Sequence, residues 1–169
     1  MKLKSIFITS VCAALTAVFA GCACRNSQNQ KEDAMTLTEL QDRMEIRALV
    51  DRYAVESDRF NHEAYREIFS RDITIRQIFE DRTNEIKGID EVIRIFSASG
   101  STVKISFHQV GQNYVTFTDD THANGTTYLT AIFGSDPVSQ LFIRYEDKFE
   151  KIDGRWWITD RDQYFVYRK

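Results

Sequence analysis

Beyond residue 24 this 169-residue chain has no cysteine, and Pro137 is its only proline. The folded part therefore carries no disulfide and no thiolate to ligate a metal. Three histidines spread along the sequence do not supply the ligand pattern of a built metal site. No excess of positive charge is present either. If residues 1–21 are removed, Lys2 and Lys4 leave the 22 basic residues and nothing leaves the 25 acidic ones, so the remaining chain stands at −5 (20 − 25). That sign argues against nucleic acid or an anionic membrane surface as a partner. There is no internal repeat and no second linker. The one uninterrupted run of apolar and small residues, Ile6 to Ala20, is too short to span a bilayer in the usual way.

That run has a different use. Two lysines in residues 1–4, the run itself and Phe19-Ala20-Gly21-Cys22 form the n-, h- and c-regions of a secretory signal. Ala20-Gly21-Cys22 also resembles a bacterial lipobox, with Phe19 where Leu is usual. The resemblance implies lipidation of Cys22 and attachment to the bacterial envelope, on the periplasmic side or at the outer membrane. The alternative is ordinary cleavage after Ala20 and a soluble secreted protein. The chain thus divides into a signal (1–21), a lipidated Cys with a flexible polar tether (22–35) and one domain (36–169). The tether has no apolar period. The 134 residues of the domain (169 − 35) suffice for a sizeable core.

The domain opens with a helix. Thr36 and Glu39 have capping-box spacing. Leu40, Met44, Ile46, Leu49, Val50, Tyr53 and Ala54 recur near the 3.6-residue period. Val50, Ala54 and Asp58 form an i, i+4, i+8 ridge, which puts Asp58 on the buried face. Asn61 caps a short second helix, His62 to Phe69, with Ala64, Tyr65, Ile68 and Phe69 inward. A strand near Ile73 to Phe79, a turn at Asp81 to Asn84 and a helix from Gly88 to Ser97 follow. Four β-rich runs complete the chain: Val103 to Phe117, Gly125 to Phe133, Gln140 to Ile152 and Arg155 to Tyr167. Asp153-Gly154 between the last two is a strong hairpin signal, because the turn needs positive φ. Helices followed by long antiparallel strands give an α+β class.

The Tyr/Phe-rich run, Asp153-Gly154-Arg155-Trp156 and Arg161 five residues after Trp156 resemble the closing hairpin of the SnoaL-like branch of the nuclear transport factor 2-like superfamily. The resemblance implies a cone, in which a curved antiparallel sheet wraps the first helix around a single pocket, a cystatin-like α+β barrel. In the same register the chain is similar to the dehydratase and dehydrochlorinase members. The spacing of Ile46 and Asp58 matches, as does His108-Gln109-Val110-Gly111-Gln112 running into Asn113-Tyr114-Val115-Thr116-Phe117. By that resemblance His108 is the general base, Asp58 its orienting partner and Arg161 the group that polarises the leaving atom.

The chemistry of these residue types agrees. A neutral imidazole accepts a proton near neutral pH, a buried carboxylate fixes its tautomer, and an arginine holds a developing anion. The trio suits proton abstraction, β-elimination or isomerisation with neither metal nor organic cofactor. Each residue also has a structural alternative: His108 as a strand histidine bonded to a neighbour, Asp58 as a helix end paired to Arg59 or Arg66, Arg161 as solvated sheet surface. Strand parity places Trp156 and Arg161 on opposite faces unless a bulge intervenes. Aromatic residues crowd the strands. Most fill the cone, but an apolar, aromatic-lined concavity with a few polar groups is also what a small-molecule site looks like. Tyr53, Tyr128 and Trp156 are the candidates for substrate contact; nothing is assigned to His62 or His122. The expectation is a lyase or isomerase acting on a small hydrophobic, cyclic compound. The alternatives are a non-catalytic binding domain for such a ligand, or an interaction module that forms a homodimer through its open sheet face.

Overall fold

The computed structural model describes residues 35–169. The signal, Cys22 and nearly all of the tether lie outside the described residues. Helix α1 spans Leu37–Asp58 and a short 3-10 segment, His62–Glu67, follows. Then come β1 (Phe69–Ile78), β2 (Thr83–Lys87), α2 (Ile89–Gly100), β3 (Ile105–Phe117), β4 (His122–Gly134), β5 (Val138–Ile152) and β6 (Arg155–Arg168). The fold is α+β, as expected, with one curved, unclosed six-stranded sheet in the order β2-β1-β6-β5-β4-β3. Every neighbouring pair is antiparallel except β1 and β6.

The buried stripe of α1 is Asp42, Ile46, Leu49, Val50, Tyr53, Ala54 and Ser57. Leu40 and Met44, expected inward, are instead 45% and 65% exposed. The stripe runs through Asp42 because that carboxylate accepts hydrogen bonds from Lys151 Nζ (2.6 Å) and Trp156 Nε1 (2.9 Å). A charged residue thus extends the apolar stripe at the far end of the helix from Asp58. The segment 83–87, whose first two residues read as a turn in the sequence, is an edge strand paired with β1. The 153–154 hairpin forms as predicted, with φ of 52° and 79° at Asp153 and Gly154.

Parity along β6 is reset twice, at Val166, where Phe142 pairs with Tyr167 and Ile143 with Phe165, and at Thr159. Lys148 pairs with Asp160 and Phe149 with Ile158, which leaves Thr159 as an extra residue. Trp156 and Ile158 face inward before this bulge, and Arg161 and Gln163 face inward after it. The core beneath the sheet joins the α1 stripe to Tyr65, Phe69, Val92, Tyr145, Phe149, Trp156 and Ile158.

Candidate active site

A cavity of about 220 Å³ lies on the concave side of the sheet. Tyr53 and Ser57 of α1, His62 and Tyr65 of the 3-10 segment, and Phe96 of α2 line one side. Ser106 and His108 of β3, Tyr145 of β5, and Gln163 and Phe165 of β6 line the other. The lining is mainly apolar and aromatic with a few convergent polar groups, the usual character of a small-molecule site.

Asp58, the last residue of α1, reaches β3. Its Oδ1 lies 2.6 Å from His108 Nδ1, its Oδ2 accepts the His108 backbone N–H at 3.0 Å, and Ser106 Oγ donates to Oδ1 at 3.2 Å. A carboxylate held by a main-chain amide and a hydroxyl is fixed relative to the strand, and it fixes the imidazole in turn. With the Nδ1 proton given to Asp58, Nε2 keeps its lone pair. The His108 side chain is 12% exposed and forms part of the cavity wall. The i, i+4, i+8 ridge thus ends at a carboxylate that meets the histidine fifty residues later.

Arg161 is elsewhere. It is fully buried and makes a bidentate pair with Asp147, its cross-strand neighbour: Nε to Oδ1 at 2.7 Å and Nη2 to Oδ2 at 2.9 Å. Its guanidinium carbon sits 4.1 Å from the Tyr145 ring centroid, 4.6 Å from that of Tyr53 and 5.2 Å from that of Phe69. Among the described residues Nη1 has no hydrogen-bond partner. Burial works against the Arg161 charge, but Asp147's charge and hydrogen bonds outweigh it and hold the guanidinium protonated. Burial pushes the Asp147 carboxyl up, against the pull of Arg161. Arg161 therefore lies behind two cavity-lining rings and is not itself part of the wall. The solvated-surface alternative for Arg161 is excluded by its burial.

Of the three aromatic candidates, Tyr53 lines the cavity. Tyr128 does not: it alternates with the buried Thr127 and Leu129, so its ring is 50% exposed on the outer face of β4. Trp156 does not either. It is buried beneath the other end of the sheet, packed on Phe117 and bonded to Asp42, on the far side of the Thr159 bulge. The sequence reasoning missed Tyr65, Tyr145, His62 and Asp147. Tyr65 and Tyr145 are phenols whose ionisation burial pushes well above its ordinary range, so both remain protonated donors. Tyr65 hydroxyl is 2.7 Å from Ser57 Oγ, which donates to the Tyr53 carbonyl at 2.6 Å. The alternating inward positions of β5 pointed to Tyr145 and Asp147. An acid between Glu146 and Lys148 nevertheless reads as surface until its arginine partner is known.

Fold and site together define an α+β pocket protein: a curved sheet with helices across its concave side and a carboxylate–imidazole pair in the cavity wall. The chain belongs to the SnoaL-like domain family, which matches residues 38–162, within the nuclear transport factor 2-like superfamily. No curated protein matches it in sequence. Among solved structures it is similar to a protein assigned as a scytalone dehydratase from Novosphingobium aromaticivorans DSM 12444. The TM-score is 0.70 at 20% identity, over 78% of this chain and 89% of that one. It is also similar to LinA (TM-score 0.72, 16% identity, 79% and 91% covered). The hexachlorocyclohexane dehydrochlorinase LinA-type3 from Novosphingobium barchaimii LL02 is a third such structure (0.71, 15%, 79% and 92%). At these identities the likeness speaks for the fold.

Proposed function

We propose that this chain is an exported, cofactor-independent lyase or isomerase that removes a proton from carbon in a small cyclic compound. The 2.6 Å contact between Asp58 and His108 in the wall of an apolar cavity carries this reading. His108 Nε2 takes the proton, and Asp58 stabilises the imidazolium that forms. The C–H electron pair then becomes a double bond. In a dehydration the leaving oxygen takes the proton back from the imidazolium and departs as water; in an isomerisation the proton returns to another carbon. The protonated Tyr145 hydroxyl is suited to stabilise negative charge on a substrate oxygen. Arg161 acts through the rings of Tyr53 and Tyr145, as a positioning residue with no substrate contact. The dehydratase and dehydrochlorinase names among the similar structures support elimination over hydrolysis. The lipobox-like Ala20-Gly21-Cys22 supports anchoring through lipid at Cys22. A mass spectrum of the native protein with an acylated N-terminal Cys22 is the expected result, and an unmodified N-terminus near Gly21 would overturn the anchor.

The catalytic reading is tested by incubating the protein in D₂O with a panel of cyclic β-hydroxyketones. Deuterium at the carbon next to the carbonyl and the absorbance of the conjugated enone are followed. Exchange or elimination in the native protein, lost in His108→Gln, is expected. Binding of panel members without exchange would replace the enzyme by a ligand carrier.

A further inference from the structure

His62 has no part in the proton abstraction above, yet it belongs to the same cavity. It is 8% exposed and lines the wall from the 3-10 segment, whereas His108 lines it from β3. Between the two imidazoles runs a row of rings. Centroid steps are 5.4 Å from His62 to Tyr65, 5.2 Å from Tyr65 to Tyr53 and 6.2 Å from Tyr53 to His108. The row is an apolar wall with a nitrogen heterocycle at each end.

The environment of His62 determines what it can offer. Its Nδ1 lies 3.2 Å from Ser97 Oγ of α2, and among the described residues Nε2 has no hydrogen-bond partner. Gly100, at the end of α2, keeps that side of the ring open. A Cβ there would come within 3.0 Å of His62 Cε1 and 3.8 Å of Nε2. Burial lowers the basicity of His62, so the ring offers a hydrogen-bond donor that carries no charge. With the Ser97 hydroxyl proton directed at Nδ1, the ring proton sits on Nε2 and is available to an uncharged oxygen.

We propose that His62 is a specificity-determining residue whose Nε2–H binds a neutral oxygen at the end of the ligand remote from His108. This inference rests on the reading of the cavity as a small-molecule site beside His108, and it names the substrate class. The substrate is a one- or two-ring compound with an oxygen function at each end; a plain hydrocarbon or halocarbon would leave the His62 donor buried and unpaired. A cavity of about 220 Å³, below the roughly 300–1,000 Å³ of drug-sized sites, limits the occupant to that size.

The test compares two fluorescent probes, 2-naphthol and 2,6-dihydroxynaphthalene, titrated into the full-length protein and into His62→Phe. The second hydroxyl should tighten binding to the native protein by about 3- to 10-fold, the yield of one neutral hydrogen bond. His62→Phe should erase that gap. Gly100→Ala, which crowds the same ring edge without removing it, should narrow the gap and serves if His62→Phe does not fold. A gap that survives in both variants overturns the role of His62 and leaves the cavity reading intact. If neither probe binds the native protein, the cavity reading falls and this inference falls with it.

Discussion

Arg161 and Asp147 face each other across β5 and β6 and pair through two hydrogen bonds, both side chains wholly shut off from solvent. Two charges so placed stabilise the fold only as a pair, since either one alone is an uncompensated buried ion. Arg161→Leu should therefore cost about 3–5 kcal/mol in chemical denaturation. Adding Asp147→Leu should restore part of the loss. If the double variant is less stable than Arg161→Leu by the full cost of Asp147→Leu alone, the two residues do not act as a unit.

For the Asp58–His108 pair, chemistry and stability should separate. His108→Gln removes the proton acceptor but keeps much of the volume, so turnover on an identified substrate should fall by about 10²- to 10⁴-fold, with a small change in melting temperature. Asp58→Asn should behave similarly by another route. Its amide would donate to His108 Nδ1, move the ring proton to Nε2 and occupy the base. Thermal denaturation alone gives a first check. A loss of several kcal/mol in both variants would mark the pair as structural.

The Asp42 carboxylate predicts an acid-sensitive fold. Burial alone would raise its pKa, but hydrogen bonds from Lys151 and Trp156, together with the Lys151 charge, bring it below the ordinary 3.8. The folded state thus binds this proton less readily than the unfolded chain. The resulting stability is present above 3.8 and is lost as pH falls through the folded value. Asp42→Asn should lower stability near neutrality by about 1–3 kcal/mol. The gap from the native protein should shrink in strong acid, as urea midpoints across pH would record. An unchanged gap would assign the effect to shape alone.

Gly125 illustrates a steric requirement. A Cβ at this position in β4 would lie 2.8 Å from Cε2 of the buried Phe149 ring. Gly125→Ala should cost about 1–3 kcal/mol through overpacking, visible as a lower melting temperature. Gly125→Ala combined with Phe149→Leu should recover part of it.

The sequence made some of these features readable and hid others, for reasons of range. Asp58 was legible as a site residue because its position is local: eight residues of helical phase from Val50 suffice to place it inward. His108 entered through resemblance, and its contact with Asp58 arises because α1 ends where β3 begins its inward register. The Asp153-Gly154 turn was legible because backbone sterics at two residues settle it. Arg161 and Asp147 were not, since each looks solvated between its charged neighbours and only strand pairing brings them together. Tyr128 was placed wrongly because aromatic content says nothing about which sheet face a residue takes. Trp156 was misplaced for a different reason: it points inward, but beneath the other end of the sheet. Leu40 and Met44 looked like the start of the core because Asp42, whose partners lie more than one hundred residues away, looked like surface.

The extra residue at Thr159 gives the buried part of β6 two reading frames. In the first, the odd–even alternation that hides Trp156 and Ile158 serves the Asp42 and Lys151 end of the molecule. In the second, shifted by one, it presents Arg161 and Gln163 to the cavity end. Substitutions at Thr159 leave both frames intact. A one-residue deletion there would merge the two frames into one unbroken alternation, with Arg161 and Gln163 still inward. Pairing Thr159 into the ladder without the bulge would instead turn Arg161 out and bring Asp160 and Asp162 in. The bulge thus absorbs residue 159 so that the buried arginine keeps the face of the tryptophan.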